Sequence, residues 1–223
     1  MSTSPRLPHV VAGQTENPKL TIVWMHGLGA DGHDFSPIVP ELKRQLSAPV
    51  KFIFPHAPVR PVTLNGGMPM PAWYDIKGIG TPRDFSEDDL EESRQQIEAF
   101  IDAELKNGMR PDQILLVGFS QGAAVAFHTG LRYAAPLAGI IALSGYIPVP
   151  SEDGSDYPET NKAIPILIAH GTLDPVVPPV LADQALEHLK EQGFPCSFKT
   201  YPMEHSVCPE EIDDIAAFID ALL

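Results

Sequence analysis

Short apolar runs that alternate with amphipathic segments are the feature that most limits what this chain can fold into. Several of the runs are continuous and rich in Ile and Val, which is typical of strands in a parallel sheet covered on both faces. The segments between them have the apolar spacing of helices, so the order predicts an α/β fold with a mostly parallel central sheet and helices on both faces. The apolar runs are residues 20–26, 50–54, 113–119, 138–144, 164–170 and 197–201.

The predicted helices begin and end at local signals. One of them follows Ser86, has Asp89 at the spacing of a capping box, and ends before Gly108. Another begins at Ser36, which is its predicted N-cap. The predicted helices cover residues 36–46, 87–107, 121–134, 179–192 and 209–222.

Residues 55–85 depart from the alternation of strands and helices, because they have neither a helical nor a strand period. A loop of this length in a compact domain is either functional or wrongly assigned. Its apolar side chains, which include Met68, Met70, Trp73 and Tyr74, are costly to leave in water, so we expect the segment to fold back over the sheet edge near the active site. A length of 223 residues suits one domain, and we expect residues 1–223 to form it.

Composition excludes several classes of partner. The chain has 15 basic and 29 acidic residues, a net charge of −14, which repels phosphate backbones and anionic lipid headgroups. We therefore expect no nucleic-acid partner and, without an apolar run of about 18 residues, no stable membrane insertion. The N-terminus lacks the apolar stretch of a secretory signal, and Cys196 and Cys208 are expected to be reduced thiols in a cytoplasmic protein. Two cysteines cannot supply a four-ligand zinc site, and no metal is expected.

The sharpest motif is the pentapeptide Gly118-Phe119-Ser120-Gln121-Gly122, a G-x-S-x-G sequence placed after a predicted strand and before a predicted helix. A turn this tight strains the central residue and requires glycine on both sides. It presents the Ser120 hydroxyl at the helix N-terminus, where partial positive charge favours a developing anion. A plain Gly/Ser turn is the alternative interpretation, and the flanking strand and helix count against it.

A serine nucleophile needs a base, and the order Ser, Asp, His is the one found in α/β-hydrolases. Asp174 follows the run 164–170 and His205 follows the run 197–201, so both can reach the edge of the sheet where Ser120 lies. His170 is interpreted as structural, because its strand already supplies the acid. Other histidines and acids lie in helices, in a polar loop or before the serine, and are weaker candidates: His26, His33, His56, His128, His188, Asp156 and Asp183.

The reaction also requires donors for an oxyanion. The amide after the nucleophile, that of Gln121, is one candidate. The glycine-rich turn after the first predicted strand, residues 25–32, is expected to supply the second through the Leu28 amide. A plain turn or a phosphate loop is the alternative, although no Walker-type lysine is present in the turn.

Five stretches together resemble the acyl-protein thioesterase/carboxylesterase group, also called the phospholipase/carboxylesterase family, of α/β-hydrolases. They are HGLGADGHDF (26–35), AWYDI (72–76), GFSQGAAVA (118–126), HGTLDPVVP (170–178) and PMEHSV (202–207). The resemblance implies a triad of Ser120, Asp174 and His205 with oxyanion amides at Leu28 and Gln121. It further implies that there is no large cap domain.

The same resemblance implies a shallow apolar acyl groove that is lined in part by the loop holding Trp73, and we therefore expect Trp73 to be a substrate-binding residue. The long loop looks like the bacterial carboxylesterase branch of the family. Similar enzymes are often homodimers that pack near the active site. Ala123 departs from the family pattern, since members often carry a second glycine there, and we expect no loss of activity from it.

These inferences predict a cofactor-independent serine carboxylesterase that hydrolyses short- to medium-chain esters through an acyl-enzyme. A thioesterase acting on acylated proteins and a lysophospholipase are alternatives that use the same triad with a different leaving group. A hydrolase-like binding protein without turnover is an alternative from another class, and an intact triad counts against it.

Overall fold

The computed structural model describes residues 6–80 and 83–223, and a seven-stranded sheet forms its centre. The strands in the described residues are β1 (His9–Gly13), β2 (Leu20–Met25), β3 (Val50–Pro55), β4 (Val59–Val62), β5 (Met68–Pro71), β6 (Ile76–Gly78), β7 (Asp84–Phe85), β8 (Ile114–Phe119), β9 (Gly139–Leu143), β10 (Ile166–Gly171) and β11 (Cys196–Tyr201). The helices there are α1 (Val39–Lys43), α2 (Glu87–Lys106), α3 (Gln121–Arg132), α4 (Pro179–Glu191) and α5 (Pro209–Asp220).

The central sheet has the order β1-β3-β2-β8-β9-β10-β11. The six apolar runs form its six parallel strands, and β1 pairs antiparallel with β3 at one edge. The mostly parallel sheet predicted from the sequence is therefore confirmed. Strand β1 was not predicted, because its short, half-buried sequence has no continuous apolar run.

Two hydrophobic clusters cover the two faces of the sheet, because successive strand side chains point to opposite sides. Ile22 and Trp24 of β2 belong to the cluster that contains α1 and α5, whereas Val23 and Met25 belong to the cluster that contains α2, α3 and α4. The predicted helices on both faces are thus confirmed. Within the described residues, no helix is both long enough and apolar enough to cross a membrane.

Four of the five predicted helices agree with the structure to within two residues at each end. For α2, the Ser86 hydroxyl accepts the Asp89 backbone N–H at 3.3 Å, as the capping signal indicates. The first predicted helix was wrong in detail, because Ser36–Ile38 forms a 3₁₀ turn before the short α1. The Ser36 hydroxyl donates to the His33 carbonyl instead of capping a helix.

The segment 55–85 forms two small antiparallel hairpins, β4–β5 and β6–β7, in the part of it that the structure describes, and not a large cap. As expected from their size, Trp73 and Tyr74 are completely buried. Met68 differs from that expectation, since 62% of its surface is exposed at the start of β5. The buried stretch between the hairpins brings this segment against α3, at the carboxyl edge of the central sheet.

Candidate active site

Ser120 lies in a strained turn between β8 and α3, with φ 55° and ψ −117°. The two glycines of the motif make this turn sterically feasible. A Cβ at Gly118 would lie 2.1 Å from the Gly122 carbonyl oxygen, and one at Gly122 would lie 2.3 Å from the Met25 carbonyl oxygen. A non-glycine residue held at positive φ stores strain, and such strain is concentrated at functional sites. The alternative of a plain turn does not account for this conformation.

His205 and Asp174 lie where the sequence predicts, in the loops after β11 and β10. The Ser120 hydroxyl oxygen is 2.9 Å from His205 Nε2, and His205 Nδ1 is 2.7 Å from Asp174 Oδ2. Side chains separated by 54 and 31 positions in the sequence therefore form one continuous chain of hydrogen bonds. The carboxyl ends of parallel strands meet at one edge of the sheet, which explains why they can do so.

The Asp174 carboxylate is fixed by backbone donors. Its Oδ1 atom accepts the N–H groups of Val176 and Val177 at 2.8 and 2.9 Å, so Oδ2 is left for His205. An ionised carboxylate accepts only, and Nδ1 of His205 must therefore carry the proton. This tautomer leaves Nε2 as the acceptor that faces the Ser120 hydroxyl, as a general base requires.

A second histidine packs against the same carboxylate. Nε2 of His170 is 2.8 Å from the Val177 carbonyl oxygen and 3.5 Å from Asp174 Oδ2. Burial lowers the pKa of His170, and a neutral ring that donates Nε2–H to the Val177 carbonyl fits this geometry. It does not contact Ser120 by a hydrogen bond, which agrees with the structural role predicted for it.

Two more of the weaker histidine candidates, His128 and His188, lie in helices. His128 is buried within α3, and burial lowers its pKa to about 4. His188 of α4 is half-buried, and its Nε2 lies 3.0 Å from the Tyr157 hydroxyl. Neither forms a hydrogen bond with Ser120, His205 or Asp174 among the described residues.

The turn that carries Leu28 is held by hydrogen bonds on both sides. Gly29 N–H donates to the Pro71 carbonyl at 2.8 Å, and Ala30 N–H donates to the Gly27 carbonyl at 3.2 Å. The buried His26 ring braces it further, since its Nδ1 donates to the Gly27 carbonyl at 2.7 Å and its Nε2 accepts Ala57 N–H at 3.1 Å. Such bracing suits a preorganised donor, which costs no reorganisation during the reaction.

Trp73 is not placed as a substrate-binding residue would be, and this expectation is corrected. Its side chain is completely buried, and the indole N–H donates to the His26 carbonyl at 2.8 Å. It lines no part of the cavity at Ser120. In this position the large apolar ring is shielded from water and the indole N–H has a hydrogen-bond acceptor, whereas an open groove would provide neither. The neighbouring Tyr74 lines the cavity instead.

The Gln121 side chain has a role that the sequence did not reveal. Its Oε1 atom accepts the Trp73 backbone N–H, and its Nε2 donates to the Tyr74 carbonyl, each at 2.7 Å. The residue after the nucleophile thus attaches the 55–85 segment to α3 through two buried hydrogen bonds. No signal in a single sequence points to this pairing, because the partners are backbone atoms about 50 positions away.

A cavity of about 90 Å³ opens above Ser120. Leu28 and Gln121, the two expected sources of oxyanion amides, line it together with the serine. The remaining wall is mostly apolar, and the Tyr74 and Tyr146 hydroxyls in it form a 2.7 Å hydrogen bond with each other. Its apolar lining residues are Leu64, Ile76, Ile79, Val176 and Val177. An apolar cavity with a few converging polar groups is typical of a site for a small organic ligand.

A parallel sheet with a serine on a strained turn, followed in chain order by an acid and a histidine, defines an α/β-hydrolase. Comparison with known proteins agrees with this class and narrows it. Residues 7–223 match the phospholipase/carboxylesterase family, so the chain belongs to that family. The bacterial branch suggested by the long loop stays a prediction.

Two similar proteins, one of them with a crystal structure, illustrate the family. Acyl-protein thioesterase 1 of Neurospora crassa is 39% identical over 228 residues, which cover 98% of this chain and 93% of that protein. Carboxylesterase SOBER1 of Arabidopsis thaliana is 37% identical over 89% of this chain and 88% of its own. A crystal structure of a SOBER1 variant superimposes with a TM-score of 0.85 at 35% identity, over 91% of this chain and 98% of the other. The chain is accordingly an ester-hydrolysing enzyme.

Proposed function

We propose that Ser120, His205 and Asp174 hydrolyse carboxylic esters through an acyl-enzyme. The observation that carries this proposal is the continuous hydrogen-bond chain from the Ser120 hydroxyl through the His205 ring to the buried Asp174 carboxylate. A free serine is a weak nucleophile, and an oriented neutral imidazole is what activates it.

The steps follow from the geometry. As the Ser120 oxygen attacks the ester carbonyl, its proton passes to His205 Nε2, and the Asp174 carboxylate stabilises the imidazolium that forms. The Leu28 and Gln121 amides donate to the oxyanion, and loss of one such donor typically costs about 3 kcal/mol of transition-state stabilisation. His205 then gives the proton to the leaving alcohol, and a water activated in the same way releases the acid.

We assign short- to medium-chain esters as substrates, because the cavity next to Ser120 is small and apolar. Thioester hydrolysis is the second candidate, since it needs the same attack and differs only in the leaving group. It is favoured by the similarity to a protein named acyl-protein thioesterase 1. Lysophospholipid hydrolysis is a weaker candidate because of the acidic net charge, and binding without turnover is disfavoured by the Ser120–His205–Asp174 geometry.

Ser120→Ala tests the proposal against Ser155→Ala, a matched change at an exposed serine. We expect the first variant to lose p-nitrophenyl butanoate hydrolysis and fluorophosphonate labelling while it keeps the circular dichroism and Tm of the parent. The control variant should keep both activities. Wild-type turnover by Ser120→Ala would refute the assignment. Acyl-thioesters of matched chain length, measured beside the esters, separate the two candidate reactions.

The proposal includes a homodimer packed over the mouth of the site and a cytoplasmic location. Apolar side chains around the mouth are exposed by 41% at Leu64, 66% at Ile79 and 51% at Val176, and an interface there would cover them. Cys196 and Cys208 are free thiols, which suits a reducing compartment. Light scattering coupled to gel filtration and cell fractionation test these two points.

A further inference from the structure

A groove of about 380 Å³ lies next to the Ser120 cavity. Its wall is mostly apolar and includes Phe85, Tyr146, Ile147 and Leu181. The two spaces share two lining side chains, those of Arg83 and Tyr146. A space of this volume is in the range of ligand sites, and it lies directly behind a wall of the cavity that holds the nucleophile.

Arg83 spans the boundary between the two spaces. Its guanidinium carbon is 5.2 Å from the centre of the Tyr146 ring, within the distance of a cation–π contact. One terminal nitrogen donates to the carbonyl of Val176, which belongs to the loop that carries Asp174. The side chain therefore reaches from the start of β7 across to the opposite wall of the cavity.

Few contacts hold the Arg83 side chain in this position. Nε of Arg83 is buried and has no hydrogen-bond partner among the described residues. The residue itself is only partly buried, so its guanidinium has access to water when it leaves the Val176 carbonyl. A buried N–H without a partner destabilises the conformation in which the Arg83 guanidinium contacts Tyr146 and Val176. The position of Arg83 is therefore defined by its contacts with the Tyr146 ring and the Val176 carbonyl.

We propose that Arg83 determines acyl chain length by separating the Ser120 cavity from the adjacent groove. This inference rests on the proposed function and adds a specificity-determining residue to it. With Arg83 across Tyr146, the acyl group has about 90 Å³. That is less than the roughly 150 Å³ of an engineered protein cavity that binds benzene, so it admits only a few carbons. A longer chain reaches the groove only when it displaces the guanidinium from the Val176 carbonyl.

The test is the profile of kcat/KM for p-nitrophenyl esters from acetate to dodecanoate. We expect Arg83→Ala to raise the ratio of octanoate to butanoate by about tenfold or more, because each methylene that gains an apolar pocket is worth about that factor. The acetate rate of each variant is measured as the reference to which its chain-length profile is normalised. Arg83→Lys keeps a cation but loses the planar guanidinium over the Tyr146 ring, and it should give a ratio between those of the parent and Arg83→Ala. Arg110→Ala, an exposed arginine paired with Asp112, is the matched control.

Two results would overturn the inference. One is an unchanged ratio in Arg83→Ala. The other is a selective loss of activity toward esters with a terminal carboxylate, such as the hemisuccinate, which would make Arg83 an anion-recognition residue instead. Fluorophosphonate labelling of Ser120 is measured in every variant. Labelling with an unchanged ratio removes only the role of Arg83, whereas absence of labelling and turnover in the parent removes the proposed function itself.

Discussion

Asp174 is the residue whose role can be tested with the smallest change of shape. In Asp174→Asn the side-chain oxygen can still accept the Val176 and Val177 amides, but the amide group cannot accept from His205 Nδ1–H in place of Oδ2. The ring is then held in the wrong tautomer. We expect kcat for p-nitrophenyl butanoate to fall on the order of 10⁴-fold, which is the size of the effect when the triad Asp of a serine protease is replaced by Asn. Asp183→Asn, at an exposed acid of α4, is the control and should retain the parent rate.

The contrary outcome for Asp174 is equally definite. A decrease in kcat smaller than about tenfold would mean that His205 does not depend on this carboxylate for its tautomer. His170, which lies 3.5 Å from the same oxygen, would then need to be considered as part of the site. The double variant Asp174→Asn/His170→Gln distinguishes these cases, since only a functional His170 adds a further loss of kcat.

At the scale of single residues, the sequence predicts chemistry better than it predicts packing. Ser120, Asp174 and His205 were found because each follows a recognisable strand and the carboxyl ends of parallel strands converge. The position of Trp73 was not found, because an unpatterned loop does not reveal which side an aromatic ring will face. Arg83 was missed for a similar reason, since its partners are the Tyr146 ring and a backbone carbonyl.

At the scale of elements, helix α3 packs against the sheet through a close contact between two small residues, Ala123 and Gly145. Ala123 is completely buried, and a Cβ at Gly145 would lie only 2.3 Å from the Ala123 methyl carbon. The glycine after β9 therefore makes room for the Ala123 methyl group. Gly145→Ala should reduce the free energy of unfolding by about 1–3 kcal/mol through overpacking and should disturb the adjacent Ser120 turn.

The swapped double variant provides the control for this pair. Ala123→Gly/Gly145→Ala restores the space and should recover most of the lost stability, less about 0.5–1 kcal/mol for a glycine within a helix. Urea denaturation of the four proteins in the cycle measures the coupling between the two sites. Additive effects of the two substitutions would show that the contact does not position α3.

The elements that were predicted are specified by their own sequence, whereas those that were missed are fixed by contacts with other elements. The six parallel strands and the long helices have their own apolar periods, so the local sequence identifies them. The hairpins of the 55–85 segment have no such period, because contacts with other elements fix them. Gln121 binds the backbone of Trp73 and Tyr74, and the Asp89 carboxylate accepts the Asp75 backbone N–H at 3.0 Å. The sequence therefore predicts that this segment lies near the sheet edge but does not predict its two hairpins.

At the scale of the whole molecule, two sets of buried groups make stability depend on pH in opposite directions. Burial lowers the pKa of His128 from 6.5 to about 4, so the unfolded chain binds its proton first and stability falls as the pH drops from 6.5 to 4. Burial lowers the pKa of His26 and His170 in the same direction. Glu211 acts in the opposite sense, because burial raises its pKa from 4.5 to about 8.

Glu211 is fully buried in the first turn of α5, where burial and, to a smaller extent, the nearby Asp214 carboxylate raise its pKa, and a hydrogen bond from the Cys208 backbone N–H partly offsets this effect. Between pH 4.5 and about 8 the folded chain keeps this proton while the unfolded chain has lost it, so stability falls as the pH rises through that window. The histidines oppose this loss below pH 6.5, and above it Glu211 acts without them. At about 1.4 kcal/mol per pKa unit, we expect a loss of about 2 kcal/mol between pH 6.5 and pH 8.

Glu211→Gln should abolish that loss, because the amide has no proton to release in either state. Urea unfolding at closely spaced pH values measures it, and the difference between the variant and the parent should grow steadily from pH 6.5 to pH 8. Glu210→Gln makes the same substitution one residue earlier at an exposed position and should leave the slope of the parent unchanged. An equal slope in the parent and in Glu211→Gln would mean that Glu211 is ionised in the fold. Its carboxylate would then be stabilised by backbone N–H groups at the N-terminus of α5, such as that of Cys208.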